Sequence, residues 1–270
     1  MNGGSHPLVT VPETALTRPP RLAFVANETA TAQEALLRMQ ALYPSVPVED
    51  AEIIVALGGD GFMLQTLHQT EGRELRVYGM NRGTVGFLMN GYEEDRLLER
   101  LATAEEAVIT PLAIRIGTMD GGVHHALAIN EVSLLRAGPQ AAKLRITVGG
   151  KLRLDELICD GALVCTPAGS TAYNYSAHGP ILPIDSDVLA LTPMAAFRPR
   201  RWRGALLHKS SDIRFDVLEP EKRPVMADAD GRSVRDVSYV EIRSHPTMRH
   251  RILFDPGHGL EERLTQEQFV

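Results

Sequence analysis

The chain has 270 residues, of which 44% are hydrophobic and 23% charged, with 28 Lys and Arg against 34 Asp and Glu for a formal net charge of −6. That size and near-average composition suit one large domain or two ordinary ones, and exclude a disordered, collagenous or disulfide-stapled chain. The acidic balance excludes general affinity for nucleic acid or an anionic membrane surface, which needs clustered cations; the one dense basic run, Arg198 to Arg203, is too short to reverse it.

Residues 1–20, rich in Gly, Pro and Thr, read as a flexible arm. Order is expected to begin with the strand-length apolar run Arg21 to Ala26, followed by Asn27, Thr29 and Thr31 as candidate caps. Ala35, Leu36, Met39 and Leu42 then recur at spacings of three and four, which predicts an amphipathic helix from Thr31 to Leu42. A buried strand, Ile53 to Leu57, runs straight into Gly58-Gly59-Asp60-Gly61; a helix is expected from Phe62 to Gln69 and another strand from Leu75 to Gly79. Strand, helix, strand, glycine turn, helix, strand is the pattern of a parallel sheet with helices on its faces.

After about residue 108 short β-branched and aliphatic runs take over: Leu112 to Ile116, Val123 to Ile129, Leu144 to Val148, Lys151 to Leu154, Leu163 to Thr166, Ile213 to Val217 and Tyr239 to Ile242. Asp120-Gly121-Gly122 and Gly149-Gly150 read as hairpin turns. The expected organisation is an α/β domain over 21–108 completed by 250–270, with a β-rich, sandwich-like domain over 109–249. Cys159 and Cys165 would lie about 20 Å apart in an extended chain, beyond disulfide reach, so buried thiols in a reducing compartment are expected. No run approaches the roughly 18 apolar residues of a membrane span, and no cationic start with an apolar core suggests export; a cytoplasmic location is expected.

Four clusters carry candidate chemistry. Gly58-Gly59-Asp60-Gly61 lies where a buried strand meets a helix, the place where open α/β sheets bind ligands and helix amides meet phosphate oxygens. Glycine permits positive φ and close ligand approach. A carboxylate there makes sense if it takes a proton from an attacking hydroxyl, orients it, or holds a metal ion; the plainer reading is a tight turn with Asp60 as a helix cap. Gly79-Met-Asn-Arg-Gly83-Thr-Val-Gly86-Phe-Leu88 is an incomplete dinucleotide fingerprint, with Asn81 in place of the second glycine. The segment Asp160 to Pro180 combines a strand, a Thr166-Pro167 turn and small residues with hydroxyls at Ser170, Thr171 and Ser176, so that it offers amides and hydroxyls to a polar ligand or simply caps a helix over Thr171 to His178. Asn130 and Glu131 join two strands and can reach one ligand only if the chain bends or bulges there. His68, His124, His125, His178 and His208 are read as surface or structural residues, since none has ligand-like spacing.

In order and spacing these pieces resemble the NAD kinase family: the G-G-D-G turn, the G-x-N-x-G-x-x-G-F-L loop, the Asn-Glu pair and D-G-x-x-x-x-T-P-x-G-S-T-A-Y-x-x-S, with Asp230-Gly231-Arg232 a further shared feature. The resemblance implies a Rossmann-like N-terminal domain, a β-sheet-rich C-terminal domain and a tail that returns to the first. NAD would lie between them, and subunits would associate as a homodimer or homotetramer. Asp60 would be the catalytic acid/base. Gly58, Gly59 and Gly61 would cradle phosphates, while Asn130, Glu131, Asp160, Thr171, Ala172, Tyr173, Asn174 and Ser176 would hold adenosine and ribose. Ala168 stands where the family often has a hydroxyl and leaves a backbone contact, and Ala195 belongs to an apolar strip beside the adenine. The implied reaction moves the γ-phosphoryl of ATP to the 2′-hydroxyl of the adenosine ribose of NAD, giving NADP and ADP, with a divalent cation, Mg²⁺, in attendance. Two other readings stand beside it: a G-G-D-G kinase of a lipid or sugar phosphate, and a non-catalytic dinucleotide sensor.

Overall fold

The computed structural model describes residues 18–83 and 86–269. Residues 1–17 of the expected arm, and Thr84 and Val85 of the second glycine loop, lie outside them.

The first domain is built on β1 (Leu22–Ala26), α1 (Ala30–Leu42), β2 (Ile53–Gly58), α2 (Asp60–Gln69), β3 (Arg76–Asn81), α3 (Leu97–Thr103) and β4 (Glu105–Ile109). Side chains of β2 alternate between two covered faces, so the whole strand is buried. Ile53, Val55 and Leu57 pack with Ala35 and Met39 of α1, whereas Ile54 and Ala56 pack with Met63 and Leu67 of α2. A strand buried on both faces reads as a continuous apolar run, which is why β2 was visible in the sequence.

The second domain holds β5 (Leu112–Thr118), β6 (Val123–Ala128), β7 (Glu131–Arg136), β8 (Ala142–Val148), β9 (Lys151–Cys159) and β10 (Gly161–Cys165). A 3-10 turn (Ala168–Thr171) and the one-turn helix α4 (Tyr173–Ser176) follow, in place of a continuous Thr171 to His178 helix. The remaining strands are β11 (Val188–Met194), β12 (Ala205–His208), β13 (Ile213–Val217), β14 (Val225–Ala229), β15 (Arg232–Val234) and β16 (Val237–Ser244). They form two six-stranded sheets, β12-β11-β10-β7-β14-β15 and β6-β5-β16-β13-β8-β9, whose inner faces share one core that includes Ala162, Val164, Ile114, Phe215 and Val240. The β8–β9 hairpin turns on Gly149 and Gly150 at φ 58° and 71°, the pair of positive φ values that side chains other than Asn, Asp or Gly disfavour. The fold is an α/β domain joined to a β sandwich.

The chain ends with β17 (His250–Phe254) and α5 (Leu260–Glu267). β17 inserts between β3, which it parallels, and β4, which it opposes. Asn90, 1% exposed, locks the insertion by donating to the carbonyls of Gly79 and Leu253 and accepting from the Asp255 amide. Ile129 and Ala168 of the second domain enter the first domain's core beside Met63, Leu88 and Met89, so the domain junction lies against α2.

Candidate active site

Asp60 is the first residue of α2, and Gly59 is its N-cap, with no side-chain cap bond. The Asp60 carboxylate therefore does not cap the helix. It accepts the Phe87 amide at 2.7 Å and the Leu88 amide at 2.9 Å, one on each oxygen, leaving each oxygen further acceptor capacity. A Cβ at residue 86 would overlap both carboxylate oxygens, so the third glycine of the second loop is there to let the loop reach Asp60. Asn81 accepts the Gly83 amide at 2.8 Å, which shapes the same loop without the missing fingerprint glycine.

The first-turn glycines do not use positive φ. Gly58 is needed for packing, since a Cβ would press on Phe62 at 2.8 Å, whereas added Cβ atoms at Gly59 and Gly61 would meet nothing within 4 Å among the described residues. Internal sterics leave those two positions open to side chains, and their bareness leaves the helix start open to an approaching ligand.

The strand run breaks between Ala128, the end of β6, and Glu131, the start of β7, which is the bend the Asn130–Glu131 pair requires. Asp230 holds it. Its side chain is 0% exposed, and its carboxylate accepts the amides of Ile129 at 2.5 Å, Asn130 at 3.1 Å and Glu131 at 3.3 Å. His68 Nε2 lies 2.9 Å from Asp230 and Nδ1 2.6 Å from Glu71. Burial works against charge on His68, but the hydrogen bonds to Asp230 and Glu71 outweigh it and raise the imidazole above its ordinary value. The structural reading of His68 holds. Nothing in its spacing indicated that it joins α2 to the second domain.

Among the described residues Glu131 Oε2 is buried without a partner. Burial, reinforced by Asp230 and Asp228 and opposed by the Tyr173 amide, pushes this carboxyl up to about 8. An orphaned oxygen in that setting is costly unless a ligand or water answers it.

The Thr166 to Ser176 segment separates into residues that hold the site and residues that face out of it. Thr166 donates to the Ile129 carbonyl at 2.7 Å, its amide bonds the Asn130 carbonyl, and a Cβ at Gly169 would overlap the Asn130 backbone. Ala168 is buried in the interdomain core. Asn174 is fully buried: its amide nitrogen donates to the Ser170 and Pro180 carbonyls and its oxygen accepts from Thr192. The Asn174 side chain is thus committed to holding α4 on the outer face of β10 and β11, which leaves its backbone for the expected ligand contact. Thr171 and Ala172 are half-buried, and Tyr173 and Ser176 are exposed.

Asp160 and Ala195 lie elsewhere. Asp160 precedes β10, whereas Thr166 follows it, a separation of about 20 Å at the rise of a strand. Asp160 is exposed, pairs with Arg136 at 2.7 Å, and its amide bonds the Met194 carbonyl next to Ala195. The expected residues therefore form two groups at opposite ends of β10.

Cys159 and Cys165 are free and buried, and burial pushes both thiols up to about 12. No helix among the described residues is long and apolar enough to cross a membrane. Among the same residues no group of three or more His, Cys, Asp or Glu side chains could hold a metal ion.

A Rossmann-like domain with an acid at a glycine-flanked helix start, facing a β sandwich that presents a bent Asn-Glu segment, defines a two-domain nucleotide phosphotransferase. Two family models match in sequence order: the ATP-NAD kinase N-terminal domain over residues 21–106 and the ATP-NAD kinase C-terminal domain over 129–245. The chain belongs to the NAD kinase family, and its activity is the ATP-dependent phosphorylation of NAD. It is 69% identical over 252 residues to the NAD kinase of Cereibacter sphaeroides, covering 93% of this chain and 99% of that protein, and 58% identical over 249 residues to that of Caulobacter vibrioides, covering 92% and 96%. Its fold is similar to yeast NADH kinase complexed with NADH, at TM-score 0.79 and 21% identity over 94% of this chain and 88% of the other. It is also similar to an NAD kinase from Archaeoglobus fulgidus in complex with ATP, at TM-score 0.70 and 23% identity over 92% and 97%.

Proposed function

We propose that phosphoryl transfer takes place at the start of α2, with Asp60 accepting the proton of the 2′-hydroxyl of the adenosine ribose of NAD as that oxygen attacks the γ-phosphorus of ATP. The observation that carries this reading is the placement of the Asp60 carboxylate, which two backbone amides aim beside two glycines before which the described residues leave open space. The attacking oxygen bonds to phosphorus as the bond to the β-phosphate oxygen breaks, and NADP and ADP leave. Positioning and electrostatics carry most of such a reaction; proton removal adds about 10² to 10⁴ in rate.

Gly58 shapes the turn, and Gly59 and Gly61 let phosphate oxygens come close to the first amides of α2, which have no acceptor within a helix. Asn130, Glu131, Thr171, Ala172, Tyr173 and Ser176 face the adenosine and its ribose, and the orphaned Glu131 oxygen meets a ribose hydroxyl. Ala168 and Asn174 support this surface from behind. Magnesium is commonly held by one or two carboxylates together with substrate phosphates; Asp60 at the glycine turn fits that donor set, and the ion would neutralise charge on the triphosphate.

We assign Asp160 and Ala195 to the dinucleotide site of a second copy, because the length of β10 separates them from Thr166 in their own chain. Phe197 near that end is 56% exposed and Leu206, on β12 level with Cys165 at the other end of β10, is 57% exposed, apolar area that a homodimer or homotetramer covers. The two buried free thiols fit a reducing compartment, and we place the enzyme in the cytoplasm. Coupled measurement of NADP formation tests the reading: product should require NAD, ATP and a divalent cation together. Full activity after exhaustive chelation overturns the metal requirement, and preference for a lipid or sugar acceptor overturns the site assignment. Light scattering should give at least twice the mass of one chain; a monomer contradicts the shared site.

A further inference from the structure

Arg263 lies on α5, far from Asp60 in sequence, yet the two side chains grip the same pair of peptide groups. Arg263 Nη1 donates to the carbonyls of Gly86 at 3.1 Å, Phe87 at 3.3 Å and Met89 at 2.6 Å, while Nε donates to the His258 carbonyl at 2.9 Å. The Gly86 carbonyl and the Phe87 amide belong to one planar peptide unit, and the Phe87 carbonyl and the Leu88 amide belong to the next. Those two amides are the donors to Asp60. Each unit therefore has a guanidinium on its oxygen and a carboxylate on its N–H.

We infer that Arg263 is a positioning residue for phosphoryl transfer, acting on Asp60 through the Gly86–Phe87 and Phe87–Leu88 peptide groups. The inference rests on the reading of Asp60 as the proton acceptor. Because a peptide unit is rigid, fixing its carbonyl fixes the direction of its N–H, and the cation polarises both units so that each amide becomes a stronger donor. Without Arg263 the two units can rotate about their flanking Cα atoms, and the carboxylate loses the donors that hold it at one angle. Loss of about an ångström in the placement of a reacting group is enough to cost about 10²-fold in rate. Burial lowers the Arg263 pKa and the nearby Asp60 charge is the first influence opposing it, so the two charges act on each other across the loop peptides that both hold. Two features make the arrangement more than a tail anchor. The docking of β17 is already secured by Asn90 and by the Arg100–Asp255 pair at 2.6 Å, and the loop carbonyls Arg263 selects include both peptide units that serve Asp60.

The test is a double-mutant cycle in the full-length enzyme with Arg263→Met and Asp60→Asn, reading kcat, KM for NAD and melting temperature. Arg263→Met in the native background should lower kcat about tenfold or more with KM for NAD within twofold, and Arg263→Lys, which keeps the charge but lacks the fork, should recover part of the loss. In the Asp60→Asn background the same Arg263→Met change should cost less than twofold, since there is no carboxylate left to aim. If Arg263→Met does not fold, Arg263→Gln takes its place in the cycle. A kcat within twofold of native, or an equal fold loss in both backgrounds, overturns the inference while leaving Asp60 its role. Near-native turnover in Asp60→Asn alone overturns the catalytic reading and this inference with it.

Discussion

His68 on α2 and Asp230 in the second domain meet at 2.9 Å, so the helix that begins with Asp60 is tied to the carboxylate that orients Asn130 and Glu131. This single contact links the proposed reacting end of the site to its proposed ribose-binding end. Replacing His68 with Asn should lower the stability of the enzyme by about 2 kcal/mol, the scale of a hydrogen bond to a charged partner. The folded-state pKa of His68 is raised, so its contribution is fully present below the unfolded value of about 6.5 and is lost as pH rises through the folded value. Melting curves of both proteins should therefore differ most below about pH 6.5 and converge at alkaline pH; a gap that widens with pH contradicts the assignment.

Glu131 gives a second pH signature. Its folded pKa near 8 stands above the unfolded carboxylate value, so the folded state binds the extra proton across that window and stability from this group declines as pH rises through about 8. Glu131→Gln preserves the neutral shape. The variant should match the native melting temperature near pH 5 and exceed it above pH 8, while NAD affinity falls if the carboxyl holds a ribose hydroxyl. The difference between the two curves removes the contribution of His250, whose imidazole burial and His68 push down to about 4. A native enzyme more stable than Glu131→Gln at pH 9 contradicts this reading.

The Thr166 to Ser176 segment predicts a division between stability and binding. Asn174→Ala removes three internal hydrogen bonds and strands buried partners, so it should destabilise by about 2 to 4 kcal/mol. Thr171→Ala and Ser176→Ala should stay within about 0.5 kcal/mol of native yet raise KM for NAD. Calorimetry paired with kinetics on the three variants checks the division, and a strong binding defect in Asn174→Ala without loss of stability contradicts it.

The parts of the fold visible in the sequence were those with local signals. β2 and α1 announce themselves through a continuous apolar run and through a three-and-four periodicity, and the β domain through repeated strand-and-glycine punctuation. The strand β4, with Glu105 and Glu106 exposed at its start, and the short helix α3 carry no such pattern, and β17 is defined by partners far away in sequence, Arg76 to Tyr78 and Glu105 to Ile109. The site was legible as motifs but not as geometry. Sequence marks Asp60 and Asn130-Glu131, yet what aims them is a loop some 27 residues on for Asp60 and an acid 100 residues on for Asn130. Small residues such as Gly86 and Gly169 look alike in a motif, and only the neighbours show that one makes room for a carboxylate and the other for a backbone.

Asp60→Asn tests the central claim most directly, because it keeps the size of the side chain and removes its basicity. Gly59, not Asp60, is the N-cap, so helix capping is untouched; the amide side chain still accepts one of the two loop N–H groups and faces the other with a donor, a cost of about 1 to 3 kcal/mol in stability that melting temperature reads separately. With NADP formation and NAD affinity measured on one folded preparation, turnover should fall by about 10²-fold or more while NAD affinity changes by less than about twofold. Near-native turnover with an intact fold would contradict the account.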